Sequence, residues 1–360
     1  MFIKTYKKYL IKQFSFDVLK ISLIFFCLAI ILNIFEEINY LKEAKISFTF
    51  PLILTLLNTP SVLFEIFPFI FLISAQFFFL RLIDMRELGI YKSFGLSNLK
   101  ILSTVTIFSL FLGIVIAVVF YNFSAKLKFT YLTLKNNFSN DNKYLAVVTE
   151  NGLWIKDEID DKINIINGQS IIANNLTDVS ITQFNDKFIL IQSIKAKEAN
   201  ISKRTWILKD VIVAADKVQT QKLDEMKFYS NFDVDKIKNL FSNLSSLTIF
   251  ELNKLKKDYS ELGYSTIEIL VHQQKILSFP VYLMAMSLFS SIIMLNIKHN
   301  KPKIFHLLLG IMLSVVVYYI NYFSTILAQN EKIPIILSAW LPLIILLIIS
   351  SIGLVRINEK

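Results

Sequence analysis

Few side chains in this sequence could carry covalent or metal chemistry, and their spacing argues against it. The three histidines, His272, His299 and His306, form no H-E-x-x-H and have no carboxylate at useful spacing. A lone histidine at a membrane edge is more often packed than used as a ligand. Cys27 is the only cysteine and lies in an apolar run, so no intrachain disulfide can form and cysteine-based metal or redox chemistry is not expected. The eight glycines never fall in G-x-x-x-x-G-K-[ST], the loop that cradles nucleotide phosphates. Glu65 is an acid within an apolar run and could serve a proton pathway, but its place near the end of that run suits interfacial solvation equally. The residues predict no catalytic and no metal site.

One polar stretch stands out between two apolar runs, RELGIYKSFGLSNL at 86–99. Asp84 can act as N-cap with Glu87 three residues on, Gly95 suits a left-handed C-terminal cap, and Ser97 can start the next helix. This predicts a capped helix over 84–95, about 11 residues and about 16 Å long. Such a helix is either a connector or a rigid element that docks in a groove of a partner. In the second case a chain without a nucleotide site could receive the work of another protein's ATP hydrolysis.

The elements that hold this stretch are those of a membrane protein. Hydrophobic residues make up 54% of the 360 and charged residues 18%, and the mean hydropathy is +0.54, outside the usual range of soluble enzymes. The net charge of +10 would suggest nucleic acid in a soluble domain, but here the lysines sort by membrane side and nucleic acid is not an expected partner. Windows of about 20 residues give six spans, at 18–35, 62–80, 101–121, 276–295, 304–327 and 335–355. Apolar residues follow the basic start without a small-residue cleavage site, so the first span is expected to be kept. Lys4, Lys7, Lys8 and Lys12, the cations of 81–100, and Lys298, Lys301 and Lys303 mark three segments as cytoplasmic. Both termini are then inside, three spans precede and three follow a large outer segment, and the membrane halves are 1–121 and 265–360.

The outer segment has strand texture. Asn151-Gly152 and Asn167-Gly168 each lie between β-branched and aromatic runs, the pattern of a type I′ hairpin turn. VSITQF, FILIQSI and WILKDVIV continue the alternation to about Val213. A mainly β domain over 122–247 is predicted, followed by a connecting helix over 248–264. Thr248 with Glu251 and Ser265 with Glu268 fit the capping box, and the second launches the fourth span.

The stretches RELGIYKSFGLS, NGLWIKDE, TIFELNKLKKDYSELGYS, HQQKILSFP and IPIILSAWLP, in this order, resemble the LptF/LptG permease family of the lipopolysaccharide exporter over essentially the whole chain, with the outer domain matched least. NGLWIKDE resembles the LptG branch. The resemblance implies six transmembrane helices, three plus three, around a periplasmic jellyroll-like β domain in a bacterial inner membrane. It also implies an LptF-like partner permease, an LptB-like ATPase dimer that holds the ATP and Mg, and an LptC-like bridge protein that receives lipopolysaccharide. By matching position, Glu87 is the acid that engages the ATPase and Gly95 the glycine that ends the coupling helix, with Arg86, Tyr91 and Phe94 beside them. Lys275 matches a cation at the outer start of the fourth span. Where relatives often carry a lysine at the outer end of the first span, this chain has Asn33 and Ile34, then Glu36 and Glu37.

A phosphate-bearing lipid head group favours cations near the outer interface. Lys275, Lys42, Lys45 and Lys126 are the candidates; ordinary snorkelling is the alternative for each. Other classes fit less of the chain. A secondary transporter would show internal repeats and broken helices at mid-membrane, a scaffold leaves the capped helix unexplained, and lipoprotein-releasing permeases order their spans one plus three.

Overall fold

Lipid offers no hydrogen bonds to the backbone, so apolar runs of this length satisfy their amides internally as helices. A computed structural model describes residues 5–40, 49–136, 153–159, 162–172, 174–185, 188–215, 221–234, 237, 243–261, 265–296 and 302–358. The chain divides into two units, Met1–Lys128 with Ile267–Lys360, and Phe129–Thr266.

The first unit contains α1 (Thr5–Tyr40), α2 (Thr49–Asp84), the short α3 (Glu87–Ser93), α4 (Asn98–Val115), a π-helical turn (Ile116–Phe120), the start of α5 (Tyr121–Asn136), and α7 (Ile267–Leu295), α8 (Lys303–Gln329) and α9 (Ile335–Asn358). Six helices are long and apolar enough to cross a membrane, with α4, the π turn and α5 forming one of them. Each predicted span lies inside one of these helices. The helices outrun the apolar windows because their polar ends continue the same hydrogen-bonded ladder; α1 and α2 have 36 residues each.

Aromatic packing joins the first helices. Phe14 of α1 meets Phe71 and Phe78 of α2 and Phe108 of α4 edge-on, with ring centroids 5.7–6.3 Å apart. Between α4 and α7 the contact uses small residues instead. A Cβ on Gly113 would lie 2.8 Å from Pro280 Cα, so only glycine allows this approach. One turn away, the Ser109 hydroxyl donates to Val105 O and lies 3.0 Å from the Ser287 hydroxyl.

In the second unit a single antiparallel sheet has the order β1-β2-β4-β5-β6-β7, with β3 also paired to β4. The strands are β1 (Leu153–Ile159), β2 (Lys162–Gly168), β3 (Ser170–Ile172), β4 (Asn175–Phe184), β5 (Leu190–Asn200), β6 (Thr205–Ala215) and β7 (Gln221–Tyr229). Ile155, Ile166, Ile181, Ile194 and Val213 stand opposite one another across five strands and form an apolar row. Beside it runs a polar row in which Gln183 Nε2 donates to Asn164 Oδ1 at 2.6 Å and Gln192 Nε2 donates to Gln183 Oε1. The sheet is rolled, because Asp157 on edge strand β1 accepts from Ser230 Oγ (2.7 Å) and Asn231 Nδ2 (2.9 Å), which directly follow edge strand β7.

Two sequence expectations change here. Asn167-Gly168 is not a turn: both residues belong to β2, and Gly168 pairs with Leu153. The Leu176 side chain occupies the space a Cβ would need, and the chain reverses only between β3 and β4. The strand pattern also runs past Val213 to β7, an edge strand whose QKLDEMKFY is exposed except at Met226 and the buried Phe228, so little of it needs to be apolar. Asn151-Gly152 lies outside the described residues. The unit closes with α6 (Ile249–Glu261), where Thr248 N donates to Glu251 Oε2 (2.7 Å) and Glu251 N to Thr248 Oγ1 (3.4 Å), a complete capping box.

Candidate functional site

The helix inside RELGIYKSFGLSNL spans Glu87–Ser93, shorter than 84–95. Asp84 does not cap it. That residue ends α2, and its carboxylate pairs with Lys303 at the start of α8, 219 positions away. The N-cap position falls instead on Arg86, which makes no side-chain cap and takes a left-handed φ of 58°. This places a sharp corner between α2 and α3. At the other end Gly95 has φ +73°, Gly95 N donates to Lys92 O (2.9 Å) and Leu96 N to Tyr91 O (3.0 Å). These two bonds make a Schellman motif, which only a residue tolerant of positive φ closes without strain. Ser97 Oγ then accepts from Lys100 N at 3.4 Å and starts α4.

The seven-residue helix thus begins at a sharp corner and ends in a fixed cap, and its faces differ. Leu88 and Tyr91 pack against the bundle core. Ile90 (54% exposed) and Phe94 (82% exposed) project outward. A shallow groove of about 370 Å³ lies beside the helix, lined by Thr5, Tyr6, Tyr9, Glu87, Ile90 and Tyr91. In it the Tyr9 hydroxyl donates to Glu87 Oε1 at 3.1 Å, while Glu87 Oε2 is buried without a hydrogen-bond partner among the described residues. Burial, then the Glu87 carboxylate, push the Tyr91 hydroxyl up to about 12, so it stays protonated at physiological pH. An acid with one oxygen held and the other unmatched, walled by tyrosines, is suited to a planar cation.

Three pairs join separate helices at this end of the bundle. Besides Tyr9–Glu87 and Asp84–Lys303, Arg81 of α2 donates two parallel bonds of 2.8 Å to Asp17 of α1. Asp17 stands as an acid in the apolar run FSFDVLKISL, a signal of a paired charge that the sequence analysis does not use, and Arg81 enters it only among the cations of 81–100. Gln76 donates to the backbone oxygens of His306 and Leu307 (3.3 and 3.2 Å), so His306 is a packed residue.

At the opposite end of the bundle lie Glu65 of α2, Tyr121 and Lys128 of α5, and His272 and Lys275 of α7. Tyr121 Oη is 2.9 Å from His272 Nε2. Lys275 and Lys128 each act electrostatically on His272 and each feel the Glu65 carboxylate. Lys275 and Glu65 are exposed. Gln274 Oε1 accepts from Trp340 Nε1 of α9 at 3.2 Å and fixes the helix that carries Lys275. Of the cations chosen from sequence, Lys126 is exposed on α5, while Lys42, Lys45 and His299 lie outside the described residues. Lys128 was missed, although two residues further along the same helix would have found it. Among the described residues no group of three His, Cys, Asp or Glu could hold a metal ion.

Residues 8–356 match the family model described as lipopolysaccharide export system permease LptF/LptG. The chain belongs to the LptF/LptG permease family. No curated protein matches it. Members of this family are permease subunits of the lipopolysaccharide export system and not catalytic enzymes, and the six membrane-capable helices with a β sheet between the third and the fourth agree with that role.

Proposed function

We propose that this LptF/LptG permease is the LptG-side subunit of an ATP-driven exporter, on the strength of its NGLWIKDE stretch, and that it sits in the bacterial inner membrane with both termini cytoplasmic. It extracts lipopolysaccharide from the outer leaflet together with an LptF-like partner, and the lipid passes to an LptC-like bridge protein on the periplasmic side. An LptB-like ATPase dimer supplies ATP, Mg and the hydrolytic residues. The observation that carries this reading is α3: a helix capped at its C-terminal end by a Schellman motif, offering Ile90 and Phe94 outward and a half-satisfied Glu87 in a tyrosine-lined groove. Glu87 is read as the acid that pairs with a cation of the ATPase, with Arg86, Tyr91, Phe94 and Gly95 shaping the element. At the other end Lys275, supported by Lys128, faces the lipid phosphates.

Glu87→Gln and Glu87→Arg test this in the complex reconstituted with its partner permease and ATPase. Gln keeps an oxygen for Tyr9 and loses the charge; it is expected to lower ATPase retention or the lipid moved per ATP. Arg is expected to abolish retention, since breaking a desolvated interfacial pair costs about 2–5 kcal/mol. An acidic substitution of the facing ATPase cation should restore part of it. Full retention and full transport with both variants would reduce α3 to a connector.

A further inference from the structure

We infer that Tyr9 is a positioning residue for Glu87, and that through it the first membrane helix, not only the second and third, takes up movement of the coupling helix. This rests on the reading of α3 given above. Glu87 stands at the first position of α3, not the third from which a capping-box acid reaches back, and the Arg86 N–H is already given to Ile83 O at 3.1 Å. The carboxylate instead takes the Tyr9 hydroxyl from α1, 78 positions earlier, at 3.1 Å. One oxygen is thereby fixed on α1 and the other is left buried and unmatched in the groove. Without the Tyr9 bond the carboxylate would be free to rotate its oxygens. With it, a single orientation is presented to a cation entering the groove.

The second consequence is mechanical. α1 is one uninterrupted helix from Thr5 to Tyr40, about 54 Å long. It is joined to the α2–α3 region twice, by Tyr9–Glu87 and, two turns on, by the bidentate Asp17–Arg81 pair. Two attachment points on one stiff rod fix its direction as well as its position. A displacement of α3 therefore carries the start of α1 with it, and the far end of that helix moves too.

Tyr9→Phe, in the full complex with partner permease and ATPase, removes the hydroxyl and keeps the ring. The expected result is unchanged assembly and ATP hydrolysis with the lipid transported per ATP lowered about fivefold, the size of one lost hydrogen bond. Tyr9→His, which retains an N–H donor, should recover at least half of the loss. In the Glu87→Gln background Tyr9→Phe should add less than it does alone, because the amide oxygen still takes the Tyr9 hydroxyl but no charge remains to be oriented. Full coupling in Tyr9→Phe, equal loss in the Phe and His variants, or multiplying losses in the double variant would each overturn the inference and leave the role of α3 intact. If Glu87→Gln and Glu87→Arg are themselves without effect, the role of α3 falls first, and this inference with it.

Discussion

At the α3 end of the membrane unit three acids are each bonded to a partner on another helix: Asp17 to Arg81, Asp84 to Lys303, and Glu87 to Tyr9. At the opposite end Lys128 and Lys275 both feel the Glu65 carboxylate and both act on His272, with Lys275 open to its surroundings. Pairs across helices resist relative movement, most of all Asp17–Arg81, because separating that pair leaves the 8%-exposed Asp17 carboxylate poorly solvated. A crowd of like charges has the reverse property: it gains from an incoming anion. One end is thus built to transmit force and the other to receive an acidic ligand, and the same α2 helix carries Arg81 and Asp84 at its end and Glu65 about halfway along its length.

The largest effect expected from this contrast is at Arg81. Arg81→Leu strands the buried Asp17 carboxylate and should cost about 3 kcal/mol, the low end for a broken buried pair because Arg81 keeps 24% exposure. Thermal unfolding of the detergent-purified complex measures it, and Asp17→Leu in the same chain should recover most of the loss. Equal stability of Arg81→Leu and the parent would mean that the pair transmits nothing. Next in size is Lys275→Glu, which places a second acid beside Glu65. Photocrosslinking of lipopolysaccharide near this residue should fall about tenfold with the complex still assembled, the size of one charge-assisted bond. Unchanged crosslinking would remove the anion-receiving end from the account. The smallest is Thr248→Ala, in the β unit and away from both ends. It breaks only a local cap, should cost about 1 kcal/mol in the unfolding of that unit, and should leave ATPase retention as it was. An effect on retention would show that the force-bearing contacts extend beyond the α3 end.

Local rules reached some of this architecture and missed the rest for one reason. Hydropathy located the six membrane helices, Gly95 and Ser97 bounded α3 from its C-terminal side, and Thr248 with Glu251 marked the start of α6, because each signal acts within a few residues. Asp84 as a cap and Asn167-Gly168 as a turn both failed where a partner elsewhere in the chain won, Lys303 in one case and strand β1 at Leu153 and Trp154 in the other. The candidate site was half legible in the same sense. Glu87 and Lys275 came from positional resemblance, but Tyr9, Asp17 and Lys128 act on residues 78, 64 and more than 100 positions away, and pairing at that range has no local pattern. Asp17 alone announced itself, as an acid where lipid should be.

The contrast between the two ends means something only if they face different compartments, α3 on the side where ATP is present. In a chain with Cys27 replaced by Ser, single thiols placed at the exposed positions Ser93 and Lys197 report this directly. With an impermeant maleimide applied to spheroplasts, Lys197→Cys is expected to label and Ser93→Cys to stay unlabelled. Inverted vesicles stripped of peripheral proteins should give the opposite pattern. Labelling of Ser93→Cys in intact spheroplasts, with Lys197→Cys protected, would contradict the account, since no cytoplasmic ATPase could then reach the coupling helix.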